Sequence, residues 1–257
     1  MRKQIDIFFT AIMFFTRLPV PKRIDHGADL LQKSARYFPW IGIIVGSISC
    51  GVYLICIQIL SPAVSIFLSM AASILTTGAF HEDGFADVCD AFGGGWTKEK
   101  ILLIMKDSRL GSYGVIGLIG ILGLKFLLLL ELSTRFTQWN FFPLIISAHA
   151  LSRFAGVTII QQYQYVTEHD TSKSKPVASR KLIPFEMTIA AIGAIVPLIF
   201  LDLIFMIALV LVVISRIYLG NYFYKWIGGY TGDCLGATQQ VCEVSFYLGI
   251  IILWKFT

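Results

Sequence analysis

Runs of about twenty apolar residues recur between residues 40 and 254, and nothing else limits the fold so sharply. A bilayer's hydrocarbon core is about 30 Å thick and takes roughly 20 helical residues to cross. With 56% of its 257 residues hydrophobic and a mean hydropathy of +0.74, the chain cannot clothe a core in polar surface as a soluble domain does. Within lipid only helices and closed barrels satisfy their own backbone, and these runs have helical length. The fold class read from this is all-α: a polytopic helical membrane protein, one domain over residues 1–257, embedded in the lipid bilayer.

Apolar length places spans at 40–60, 62–80, 113–130, 139–160, 187–201 with 203–219, and 236–254. Asp202 divides the fifth run, which is too long for one crossing, so a tight helical hairpin is expected there. The count is about seven transmembrane helices. The apolar run 5–15 is too short for a signal sequence and leads into TRLPVPKR, so an N-terminal interfacial or re-entrant helix is expected instead. Five cysteines, odd in number and without a CxxC pair, read as small core residues.

The basic residues test this topology. Of 21 Lys and Arg, 16 fall in loops that alternate onto one side, Arg135 and Lys255 fall on the other, and Lys125, Arg153 and Arg216 lie inside spans. Such asymmetry marks a cytoplasmic side and accounts for the net charge of +5 without a nucleic-acid partner. The expected setting is a prokaryotic cytoplasmic (inner) membrane, with a multi-pass chain. The charges within spans need partners or a polar cavity, because each costs roughly 2.5 to 3.5 kcal/mol at mid-helix. Glu243, Arg153 and Arg216 are candidates to pair with one another, Lys125 must snorkel or find a partner, and His149 reads as a hydrogen-bonded interior imidazole.

The cytoplasmic loops carry the chemistry. In HEDGFADVCDAFGGG, residues 81–95, the carboxylates Asp83, Asp87 and Asp90 recur on one helical face with Glu82 beside them. Like charges this close repel, and a divalent cation would relieve them. Magnesium suits oxygen donors and bridges one or two carboxylates to a substrate's phosphates, whereas zinc would want more than the lone His81. Gly84 would let a phosphate approach the backbone, and Gly93 to Gly95 read as a flexible loop. The sequel, KEKILLIMKDSRLGSYG, puts Lys106 and Arg109 on one helical face as partners for phosphate oxygens. Asp233, in GGYTGDCLGA, could complete a metal site, take a proton from an attacking hydroxyl, or cap the last helix. Carboxylates for a metal beside cations for phosphate are the parts of phosphoryl transfer.

The strings TGAFHEDGFADVCDAFGGG and IMKDSRLGSYG resemble the signature of the cobalamin synthase, or adenosylcobinamide-GDP ribazoletransferase, family. FFTRLPVP, YFPWIGIIVG, LSRF, SKSKP and GGYTGDCLGA follow the family's order over nearly the whole chain. Ala91 departs from the glycine common in the family. The resemblance implies a magnesium-dependent enzyme that joins adenosylcobinamide-GDP to α-ribazole, or its 5′-phosphate, late in cobalamin biosynthesis, releasing GMP. It further implies Asp83, Asp87, Asp90 and Glu82 as metal ligands, and Asp233 and His81 as catalytic residues. Lys106, Arg109, Gly84, Arg153 and Lys175 would be substrate-binding, the active site would face the cytoplasm, and a homo-oligomer is left open.

Two rivals remain at this stage. CDP-alcohol phosphotransferases and membrane prenyltransferases also array aspartates around magnesium and a diphosphate, though here the aspartate spacing departs from the former's pattern. An ion-coupled transporter would use the charges within spans, yet the richest acidic cluster lies at the membrane edge.

Overall fold

The computed structural model describes residues 2–21, 27–166 and 179–256. Among the described residues, five helices are long and apolar enough to span a bilayer, or six if a sharply bent pair counts as one span. The expected seventh, Pro184–Phe200, is a shorter apolar helix.

Helix α1 (Arg2–Phe15) and the short α2 (Ala28–Ser34) precede α3 (Phe38–Cys56). The α1 helix is amphipathic and buries Ile7, Ala11 and Phe15 against the bundle, as an interfacial helix should. After α4 (Pro62–Thr77) come α5 (Phe80–Gly94), α6 (Lys98–Met105), α7 (Ser112–Arg135) and α8 (Gln138–Gln162). The chain ends with α9 (Pro184–Ile195), α10 (Leu209–Ile227) and α11 (Gly232–Phe256).

Helices α8 and α11 form the centre, with 72% of their apolar windows buried, whereas α7 and α10, at 22%, turn most of their surface to lipid. Lipid tails are as apolar as leucine, so helices in a membrane associate through close packing and polar contacts. The most extensive crossing, α3 on α8, uses Gly42 and Gly46, whose missing side chains admit the α8 backbone at His149 and Ile146. Between α3 and α4, the Ser49 and Ser69 hydroxyls meet at 2.7 Å.

The fifth apolar run does break at Asp202, with 3-10 turns on either side. It is not a tight hairpin, however. The first arm packs on α3 and α8, while the second packs on α11. Neither arm gains by pairing with the other when α8 and α11 offer the interior.

The second span ends sooner than its apolar run suggests. Gly78 (φ 69°) and Ala79 (φ 60°) are both left-handed, and the helix axis turns by 89° between α4 and α5. Left-handed backbone costs a non-glycine residue roughly 1–2 kcal/mol. Here the elbow is held: the Gly78 and Ala79 N–H groups close onto carbonyls of the last α4 turn, and Arg17 N–H donates to Thr76 O at 2.7 Å. The acidic motif thus sits on a separate helix, set across the direction of α4. Glycines 93 and 94 belong to that helix instead of to a loop, and Gly93 makes room for the Tyr113 ring.

The segment after α8 meets the one before α11 through a single bridge: Val166 N–H donates to Tyr230 O and Tyr230 N–H to Gln164 O. This fixes the entry of α11 beside α5.

Candidate active site

Helix α5 packs chiefly on α11 and next on α7. At its crossing with α11, Gly84 is buried, and a Cβ placed there would lie 3.0 Å from the Asp233 Cα. The space Gly84 leaves is filled by α11, not held open for a phosphate. What the close approach does is bring Asp233 against the acidic face of α5.

Asp83 is exposed, and Asp87 and Asp233 are half-buried. Asp87 interacts electrostatically with Asp233, Asp83 and Asp90, and Asp233 with Asp83. Among the described residues no hydrogen-bond donor meets Asp83 or Asp87. Asp233 is not the N-cap of α11. That position is filled by Thr231, whose Oγ1 accepts from Cys234 N–H at 3.4 Å and lies 3.4 Å from Asp233 Oδ2.

Asp90 behaves differently. Its two oxygens accept the Gly111 N–H at 2.7 Å and the Gly114 N–H at 2.8 Å, at the start of α7. A carboxylate at a helix N-terminus satisfies orphaned donors and meets the positive end of the helix dipole. Asp90 therefore ties the loop 106–111 to α5. The expected grip of three carboxylates is not preformed: among the described residues no group of three His, Cys, Asp or Glu is gathered as a metal site.

A donor set of Asp83, Asp87 and Asp233 fits magnesium nonetheless. All are oxygen donors, only Asp233 meeting a hydroxyl, that of Thr231 at 3.4 Å, among the described residues, and magnesium commonly takes one or two carboxylates and completes its shell with water and substrate phosphates.

Lys106 and Arg109 do not share a helical face. Helix α6 ends at Met105, Lys106 stands at the C-cap, and Arg109 lies in the loop beyond. The cause is Asp107, whose carboxylate accepts from both the Arg109 backbone N–H, at 3.1 Å, and its guanidinium, at 2.6 Å. This local turn competes with the helix. The same contact lowers the Asp107 pKa and raises that of Arg109.

Glu82 and His81 point away from the stripe. Adjacent helical residues are about 100° apart, so both enter the interior while Asp83 faces out. Glu82 accepts from Gln240 Nε2 at 2.9 Å, and His81 stacks on Phe38 with ring centroids 5.6 Å apart. Glu82 is accordingly not placed with the stripe as a ligand, and His81 does not face it as a base. Arg153 is 1% exposed and donates to His149 O at 2.9 Å, so its guanidinium serves the interior and not a substrate surface. Lys175 lies outside the described residues.

Behind the stripe lies a polar network that sequence reasoning left unassembled. Lys125 Nζ meets Glu243 Oε1 at 2.6 Å, and the other Glu243 oxygen accepts from Gln239 Nε2 at 2.7 Å. Tyr247 donates to Glu243 at 3.3 Å, His149 lies 3.5 Å from it, and Gln240 joins Gln239 to Glu82. Lys125 thus finds a partner instead of snorkelling. Glu243, Arg153 and Arg216 do not pair with one another; Arg216 instead donates to Thr158 and Gln162 at 2.7 and 2.6 Å. The adjacent pair Gln239 and Gln240 within an apolar run was the sequence signal for this network.

The structure therefore presents three carboxylates across one helix crossing, a cation-bearing loop tethered beside them, and a buried network that holds the crossing. Comparison with known proteins gives the chain its family. A family model described as cobalamin-5-phosphate synthase matches residues 7–251. An adenosylcobinamide-GDP ribazoletransferase of Shewanella halifaxensis is 46% identical over 253 residues, covering 98% of this chain and 97% of its own. One from Shewanella frigidimarina is 44% identical over 249 residues, covering 97% and 95%. No solved structure matches the chain. Similarity of this extent places the chain in the cobalamin-5-phosphate synthase family.

Proposed function

We propose that the chain transfers the adenosylcobinamide phosphate group of adenosylcobinamide-GDP to α-ribazole or its 5′-phosphate, releasing GMP, at the cytoplasmic face of a prokaryotic inner membrane. The observation that carries this reading is the meeting of Asp83 and Asp87 with Asp233 across the α5–α11 crossing. The concentration of basic residues on the loops beside this site supports its cytoplasmic orientation.

Asp83, Asp87 and Asp233 would hold Mg2+, which when bound supplies charge neutralisation for a diphosphate. The loop 106–111, fixed by Asp90, brings Lys106 and Arg109 to the non-bridging phosphate oxygens, with Arg109 leaving Asp107 as it does so. A ribose hydroxyl of the acceptor attacks the phosphorus that bears the cobinamide. The bond to the GMP phosphate breaks, and GMP departs with the electron pair. Asp233, the carboxylate nearest the interior, takes the hydroxyl proton. Positioning and charge stabilisation supply most of the rate in such transfers.

The test uses the full chain in proteoliposomes with magnesium and both substrates. Wild-type protein should form cobalamin and one GMP per turnover, and Asp83→Ala and Asp87→Ala should abolish both. Near-normal turnover in either variant removes that carboxylate from the mechanism. Release of CMP or pyrophosphate from the corresponding donors, with no GMP, would instead favour the CDP-alcohol or prenyl classes.

A further inference from the structure

Next to Asp233 the bundle holds a partly open cavity of about 210 Å³. Its walls are rings and aliphatic chains: Phe15, Phe38, Phe80, the His81 ring, Tyr165 and Leu235. Gly232 and Gly236 complete it, and Asp233 lies between them on the first turn of α11. His81, whose backbone packs on Gly236, is two residues from Asp83. Two helical positions are about 3 Å of rise and about 200° of rotation, so the cavity reaches the carboxylates through Asp233, which the two lining glycines flank.

The inference rests on the transfer reading above, which brings three ring systems to this site: a corrin macrocycle, a guanine and the benzimidazole of ribazole. The cavity lies below the roughly 300–1,000 Å³ of sites for drug-sized ligands, which excludes a macrocycle. Guanine carries donors and acceptors around its edge, and burying them unpaired against phenylalanine costs roughly 1–3 kcal/mol each. A benzimidazole is flat, bicyclic and largely apolar, and aromatic walls stack on it favourably.

We propose that this cavity seats the benzimidazole base of the acceptor nucleoside, so that its ribose hydroxyls emerge at Asp233, Asp83 and Asp87. The cavity then selects the acceptor by the size of its base, and the α1 helix, through Phe15, is part of the specificity device.

The experiment narrows and widens the cavity. Ala35 lines it and is 2% exposed, so Ala35→Leu projects into it. In the full chain in proteoliposomes, Ala35→Leu should raise KM for α-ribazole about tenfold or more, with KM for adenosylcobinamide-GDP within about twofold. Benzimidazole riboside, which lacks the two ring methyls, should suffer less, so its kcat/KM relative to α-ribazole should rise by about tenfold. Equal losses for both substrates, or an unchanged base preference, overturn the proposal. Should Ala35→Leu fail to fold, Leu235→Ala decides: a gain of about fivefold or more for naphthimidazole riboside over α-ribazole supports the assignment, and an unchanged ratio overturns it.

Binding of α-ribazole alone, followed by its own fluorescence, separates the two readings. If wild-type protein makes no cobalamin yet binds α-ribazole in a manner lost in Ala35→Leu, the transfer reading falls and the cavity stands. If cobalamin forms and the variants keep wild-type acceptor preference, the cavity falls and the transfer stands.

Discussion

Replacing Gly84 by alanine should separate the site's carboxylates without removing any of them. The added Cβ would sit 3.0 Å from the Asp233 Cα and 3.2 Å from its carbonyl oxygen. Such contacts are tighter than side-chain carbons normally make, so α5 and α11 must part by a few tenths of an ångström. Both obstructing atoms are backbone, and no rotamer change relieves them. Overpacking of this kind costs about 1–3 kcal/mol, which leaves a folded bundle. The greater loss is in positioning, because a misplacement near 1 Å costs about 100-fold in rate. A few tenths of that displacement should lower GMP release at saturating substrates by about 3- to 10-fold while stability in mixed micelles declines only modestly. Gly120→Ala is the control, since a Cβ there meets nothing within 4 Å. Wild-type kcat in Gly84→Ala, or an equal loss in Gly120→Ala, would refute the dependence of catalysis on the α5–α11 spacing.

Further outcomes follow from the same contacts. Lys125→Met and Glu243→Gln, which each strand a partner in the interior, should each destabilise the bundle by about 3–5 kcal/mol, with the double variant costing less than the sum; additive losses in an unfolding cycle would show that the pair is not coupled. Asp90→Asn can no longer accept from both Gly111 and Gly114, so it should cost about 1–3 kcal/mol and weaken donor binding through the untethered loop, read as a rise in donor KM. Thr231→Ala removes the α11 cap and should lower stability by about 0.5–2 kcal/mol, measured in the same unfolding assay. Chelation of divalent ions should abolish GMP release, and added Mg2+ should restore it.

The spans were legible because crossing a bilayer imposes a length and a polarity that few residues violate, and the positions of Lys125, Arg153 and Glu243 within them announced an interior network. Its pairing was not legible. Lys125 and Glu243 lie on different helices, and helix phase, not sequence distance, decides which charges meet. The acidic stripe was readable from its spacing, but the fate of Asp90 depended on Gly111 and Gly114 arriving from α7. Glu82 leaves the stripe because one helical position turns a side chain by about 100°, enough to exchange that face for the interior. Lys106 and Arg109 were misplaced because the local turn at Asp107 outcompeted the helical pattern. A further signal went unused: Gly42 and Gly46 form the small-xxx-small spacing of close membrane crossings, and they mark the α3–α8 contact.

The ion pair that joins α7 to α11 has a consequence for biogenesis. A lysine alone at mid-span is costly to leave in lipid, and its counter-charge resides on α11, far later in the chain. A nascent chain released before α11 would carry Lys125 uncompensated, as a mark by which quality control could recognise it. Arrival of α11 and neutralisation of the interior then coincide, and the same helix delivers Asp233 to its place.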